Sequence, residues 1–155
     1  MTRPIELKPR EDEVSGTPPE GYTVGAELPR LEFTVTPEIV EEYIEAIDGK
    51  KSLYAVDGRP VAPTNVLAVY LLATIYRKYP PIQGIILTDV SWRFRHPIWA
   101  DEDTSITVRG RVDEIWERRG KHFVRWSACF ARSDGQVLAE ARNTMYVTAR
   151  RHEER

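Results

Sequence analysis

Residues 60–102 read PVAPTNVLAVYLLATIYRKYPPIQGIILTDVSWRFRHPIWADE, and the fold is decided there. Val66, Leu67, Val69, Tyr70, Leu71, Leu72, Ala73, Ile75 and Tyr76 put apolar side chains on nearly every side of one short segment. A helix built from them has no face to give to water, so it must be surrounded by protein. Thr64 or Asn65 is placed to cap it, and Tyr79-Pro80-Pro81 stops it, which predicts a helix through about Lys78. The period then changes. Val90, Trp92 and Phe94 alternate with Ser91, Arg93 and Arg95, the pattern of a strand with one packed face and one wet face.

Downstream the alternation continues. Ile106, Val108, Gly110 and Val112 alternate with Thr107, Arg109 and Arg111, and Arg118-Arg119-Gly120-Lys121 turns the chain into a strand whose apolar set is Val124, Trp126, Ala128 and Phe130. Ser133-Asp134-Gly135 marks the next hairpin. The last strand, Val137 to Thr148, carries Val137, Ala139, Ala141, Met145 and Val147 on one face. Upstream, Leu31 to Val35 alternates as a short strand. Thr36-Pro37-Glu38 then opens a helix to about Ile47, with Ile39, Val40, Tyr43, Ile44 and Ile47 on one stripe and Glu41, Glu42 and Glu45 on the other side. Between Asp48 and Pro63 no period holds, and Asp57-Gly58 marks a turn. The whole predicts an α+β architecture, an antiparallel sheet curled around one central helix. Such a sheet has unpaired edges, and pairing with a second chain is the natural remedy.

The totals set outer bounds. A chain of 155 residues suits one domain, with a flexible or draped arm expected over 1–24, the domain over 25–149 and a charged tail over 150–155. Twenty-two basic against 24 acidic residues leave a net charge of -2, which gives no footprint for nucleic acid or an anionic membrane. The longest apolar run is too short for a bilayer, which takes about 20 residues. One cysteine, Cys129, excludes an internal disulfide and a cysteine-built zinc site, and a reducing cytoplasm fits. His96, His122 and His152 are scattered without ligand spacing, so no metal is expected.

In order and spacing, Val61-Ala62-Pro63-Thr64, Phe94-Arg95-His96-Pro97-Ile98 with Ala100-Asp101-Glu102-Asp103, and Val112-Asp113-Glu114 before Gly120-Lys121 resemble the MaoC-like branch of the hotdog proteins, over roughly Leu31 to Val147. The resemblance implies an acyl-CoA or acyl-carrier thioester as substrate, hydration of enoyl or dehydration of 3-hydroxyacyl thioesters, and no cofactor. It also implies a homodimer or a heterodimer with another hotdog subunit. Active members carry an Asp and, five residues on, a His after the first helix. Asp48 falls on the Asp, but Leu53 stands where the His belongs. The Gly that often precedes the central helix is also absent; Ala62-Pro63-Thr64 stands there. In both respects the chain looks like the dehydratase-type subunits that lean on an active partner.

The candidate residues follow from that resemblance. Asp48 is the acid/base candidate, since adding water across a conjugated double bond moves protons at two carbons; a helix-ending Asp before a C-cap Gly49 is the plain alternative. Tyr54 and Ser52 are the hydroxyls that could stand in for the missing imidazole, although a phenol titrating near about 10 donates a hydrogen bond better than it takes a proton. Pro63, Thr64 and Asn65 open the central helix, whose free N–H groups could polarise a thioester carbonyl, ordinary capping being the alternative. Arg93 and Arg95, with Arg109 and Arg111, are expected on the outer faces of adjacent strands, where they could meet phosphates or simply face water. A hotdog thioesterase would need a carboxylate on the central helix, and none lies between Thr64 and Tyr76. A lipid-binding module would need only the pocket.

Overall fold

The computed structural model describes residue 3 and residues 16–148 of the chain. Most of the arm and the charged tail with His152 lie outside the described residues. The part of 1–24 that is described is seated on the domain. The Thr17 N–H donates to Pro80 O at 2.8 Å, and Tyr22, 6% exposed, packs on Tyr79 with ring centroids 4.6 Å apart.

Strand β1 (Leu31–Val35) leads into helix α1 (Pro37–Ala46), capped by Thr36, whose hydroxyl accepts from the Ile39 N–H at 3.2 Å. A short ribbon, β2 (Ala55–Val56) and β3 (Arg59–Pro60), is closed by Asp57 and Gly58, both at positive φ. This is the two-residue geometry that Asp-Gly favours. Helix α2 (Ala68–Tyr76) follows a 3-10 turn at Thr64–Leu67. Then come β4 (Ile86–Phe94), β5 (Thr104–Arg118), β6 (Lys121–Arg132) and β7 (Val137–Val147). The sheet order is β1-β5-β6-β7-β4, antiparallel throughout.

The inner face of the sheet is built as the alternation predicts except at Val137, where a bulge in β7 breaks the period and Leu138 is buried instead. Val108, Val112, Val124, Trp126, Phe130, Ala139, Met145 and Val147 are buried and share one core with Val66 and Leu67 of the 3-10 turn and Tyr70, Leu71 and Ile75 of α2. Phe33 of β1 and Tyr70 of α2 stack at 3.8 Å with planes 4° apart, which pins the helix to the sheet edge. Gly110 faces α2, where a Cβ would stand 2.8 Å from Ser127 O and 3.4 Å from a Thr74 methyl. The glycine is what lets helix and strand approach.

Two further expectations need correction. The central helix is shorter than its apolar run: only nine residues are α-helical, because the first turn is wound as a 3-10 turn after Pro63. The Val90, Trp92 and Phe94 face is also not packed throughout. Val90 and Phe94 are 39% and 40% exposed, and only Trp92 is half-buried, against Phe130 and Phe94. The reason is position, since β4 is the last strand in the sheet and neither helix covers it.

Candidate functional site

The segment between the helices is held by the step that follows β4. The Ala62 N–H donates to Ile98 O at 2.8 Å, the Ala100 N–H to Pro60 O at 3.0 Å, and Val61 bridges to Trp99. Arg59 locks the same junction. Its guanidinium reaches Asp101 at 2.8 Å and Glu102 at 3.1 Å and lies 4.2 Å from the centre of the Trp99 ring. The Val61-Ala62-Pro63 entry and the Pro97-Ile98 step, separate in sequence, are thus one structural unit that sets where α2 begins. Reading the sequence did not assign Arg59 and Trp99 to it, and no periodicity marks them.

At that beginning, Pro63 is buried while Thr64 and Asn65 are exposed. Neither side chain caps. Pro63 precedes the 3-10 turn and Leu67 precedes α2, both without a side-chain cap bond. The ordinary capping role considered for Thr64 and Asn65 is therefore absent. Among the described residues, no backbone hydrogen bond uses the N–H of either, which leaves two donors open at the entry to the core.

Asp48 closes α1 in a different way from the one its sequence suggests. The Asp48 N–H donates to Glu45 O at 3.0 Å and the Gly49 N–H to Ile44 O at 2.8 Å, a Schellman pair with Asp48, at φ 52°, in the left-handed position. The cap is Asp48 itself and not Gly49. Gly49 is present because a Cβ there would stand 3.2 Å from Ile44 O. The Asp48 carboxylate is exposed and takes part in no hydrogen bond or ion pair among the described residues.

Ser52 sits exposed on the 3-10 turn Lys51–Leu53, whose Lys51 pairs with Glu41 of α1. Tyr54 is half-buried against the core, and its carbonyl accepts from the Val61 N–H at 3.0 Å. Burial, with Tyr54 as a lesser cause, raises the pKa of the neighbouring Tyr43 phenol. No hydrogen bond joins Asp48, Ser52, Tyr54, Thr64 or Asn65 to one another among the described residues. No group of three or more His, Cys, Asp and Glu among them is arranged to hold a metal.

Arg93 and Arg95 do not join this loop. Both are on the outer face of the sheet, with Arg95 paired to Glu140 at 2.8 Å, while α1, α2 and Tyr54 pack on the inner face. Nor do they share adjacent strands with Arg109 and Arg111, because β7 and β6 separate β4 from β5.

No family model matches the chain, and no curated protein matches its sequence. Solved structures do. A monoamine oxidase regulatory protein from Archaeoglobus fulgidus aligns at TM-score 0.70 and 15% identity over 87% of this chain and 96% of its own. A MaoC-like dehydratase from Rhodospirillum rubrum aligns at 0.68 and 16%, over 87% and 99%. A (3R)-hydroxyacyl-ACP dehydratase complex, HadBC, from Mycobacterium tuberculosis aligns at 0.65 and 20%, over 79% and 96%. Identities this low speak to architecture. The chain has the α+β hotdog fold in the form carried by MaoC-like dehydratases and hydratases, as the sequence motifs led us to expect.

Proposed function

We propose that this protein is a hotdog subunit that binds acyl thioesters, of the (R)-specific enoyl-CoA hydratase or 3-hydroxyacyl dehydratase type, and that it works paired with a second hotdog subunit carrying the missing base. The observation that carries this reading is the uncapped 3-10 turn that leads into α2, with the Thr64 and Asn65 N–H groups open among the described residues. A thioester carbonyl accepting from them gains charge stabilisation as an enolate develops. Adding water to the enoyl group needs one group to take the water proton and one to protonate the carbon next to the carbonyl. Asp48 could serve one of these roles, with Tyr54 or Ser52 as hydrogen-bond donors, and Pro63 and Ser52 could line the approach. No histidine lies between Asp48 and Thr64 to serve the other.

The edge of β4 supports the pairing. Ile86, Leu87, Val90 and Phe94 are 56%, 40%, 39% and 40% exposed along a strand paired only with β7 among the described residues, and Leu53 and Val56 between the helices are 74% and 45% exposed. An open apolar edge of that length is an association surface. The HadBC structure is a complex by its own name. Chain-alone catalysis is the second reading, favoured by the unpartnered Asp48 carboxylate held in a backbone conformation that glycine would fill more easily. Incubation with crotonyl-CoA and longer enoyl thioesters, followed by loss of the conjugated absorbance, separates the two. The subunit reading expects background rates until a His-bearing hotdog partner is added. Turnover by the chain alone that is abolished by Asp48→Asn would establish the second reading.

A further inference from the structure

One concavity lies remote from the loop. It is a groove of about 850 Å³ on the outer face of the sheet, and Arg93, Arg109, Arg111 and Arg142 rise around a floor of Ser127 and Cys129. Register places them. Arg109, Cys129, Glu140 and Arg93 form one row across β5, β6, β7 and β4, and Arg111, Ser127, Arg142 and Ser91 form the next. Three strand spacings separate the ends of a row, about 14 Å at ~4.8 Å each. Within these two rows the central strand contributes only Ser127 and Cys129, so longer arginines wall a shallow trough.

The charge in the trough is not cancelled. Arg111 is tied to Asp113 at 2.9 Å, Arg30 at the rim to Glu32 at 2.6 Å, and the one carboxylate within the rows, Glu140, is occupied by Arg95. Arg93, Arg109 and Arg142 have no hydrogen-bond or ion-pair partner among the described residues. Glu27 at the rim is the remaining acidic group facing them. Three guanidinium groups without a side-chain partner line one groove of a chain whose net charge is -2. Such a local excess of positive charge favours an anion bound between them.

We propose that this groove is a second binding site, for a phosphate-bearing small molecule of pyrophosphate to nucleotide size, its oxygens held by Arg93, Arg109 and Arg142. Guanidinium forks match phosphate oxygens in pairs. A small molecule fits better than a membrane or a nucleic acid. The groove is walled, it presents no apolar wedge, and the chain as a whole carries no basic excess. The sheet lies between the groove and the start of α2, so the site stands independently of the thioester reading.

The test is titration calorimetry of the full chain at low salt with inorganic pyrophosphate, ADP and sodium sulfate. One-to-one binding of pyrophosphate or ADP is expected, with sulfate far weaker. Equal affinity for the two would assign recognition to phosphate alone, and a preference for ADP would add the nucleoside. Arg109→Gln and Arg142→Gln should each weaken binding by about tenfold or more, the usual cost of a lost charge-assisted hydrogen bond. Arg118→Gln, at the β5–β6 turn, should not. Bound ligand should also slow alkylation of Cys129 in the floor. Absence of binding by either phosphate compound, or equal weakening by Arg118→Gln, would overturn the proposal, as would binding only to anionic vesicles or nucleic acid.

Discussion

Trp126 and Asn143 face each other across β6 and β7, both fully buried, and neither the indole N–H nor either polar atom of the carboxamide has a hydrogen-bond partner among the described residues. A buried polar group left unpaired costs about 1–3 kcal/mol. Replacing Asn143 by Val should therefore raise stability by about 1 kcal/mol, because the strand gains a β-branched residue and loses two unpaired polar atoms. Urea denaturation of the two proteins checks this. A large loss on Asn143→Val would mean that the carboxamide is satisfied in solution, by water or by a bound molecule.

Asp48→Gly should stabilise the fold by about 0.5–1 kcal/mol, since glycine takes the left-handed position at no steric cost. The same change should lower any turnover measured with a His-bearing partner. A protein that becomes both more stable and less active would mark Asp48 as retained for chemistry. Unchanged turnover would reduce it to a helix terminator.

Gly110→Ala should destabilise by about 1–3 kcal/mol, an overpacking cost. The new methyl would meet Ser127 O at 2.8 Å and a Leu28 methyl at 3.0 Å, between backbone and core with little room to yield. A neutral result would show that α2 can retreat from β5, against the tight helix-to-sheet approach described above.

The Arg59 cluster gives a pH dependence of known sign. Hydrogen bonds from Arg59, ahead of its charge and against some desolvation, hold the Asp101 carboxyl below its ordinary range. A carboxyl whose pKa is lower folded than unfolded stabilises the fold above the unfolded value, about 3.9, and that contribution is lost as pH falls through the folded value. Thermal midpoints of the wild type and Asp101→Asn should therefore differ near neutral pH and converge in acid. A constant gap across the range would assign the effect to packing of Arg59 on Trp99.

Much of this architecture was legible because burial writes itself into period. The alternation through β5, β6 and most of β7 gave the inner face, failing at the β7 bulge where Leu138 is buried in place of Val137, and the uninterrupted apolar run gave a helix that had to be enclosed. What failed to read was whatever depends on the neighbours of an element. Val90 and Phe94 look like core in sequence, yet they lie on the last strand of the sheet, where they stay exposed among the described residues. Thr64 looks like a cap, yet it is already the first residue of the 3-10 turn and Pro63 holds the cap position. Asp48-Gly49 suggests glycine at the left-handed position, yet the backbone places the aspartate there. The Arg59 clamp joins residues some forty positions apart, and no local pattern could announce it.

The account rests on the start of α2 as the seat of a thioester carbonyl, and backbone amide NMR reads that seat directly. On titration with crotonyl-CoA, the Thr64 and Asn65 N–H resonances should shift downfield, while free coenzyme A, lacking the thioester carbonyl, should leave them in place. Unmoved Thr64 and Asn65 signals under saturating crotonyl-CoA, or equal shifts with free coenzyme A, would contradict it.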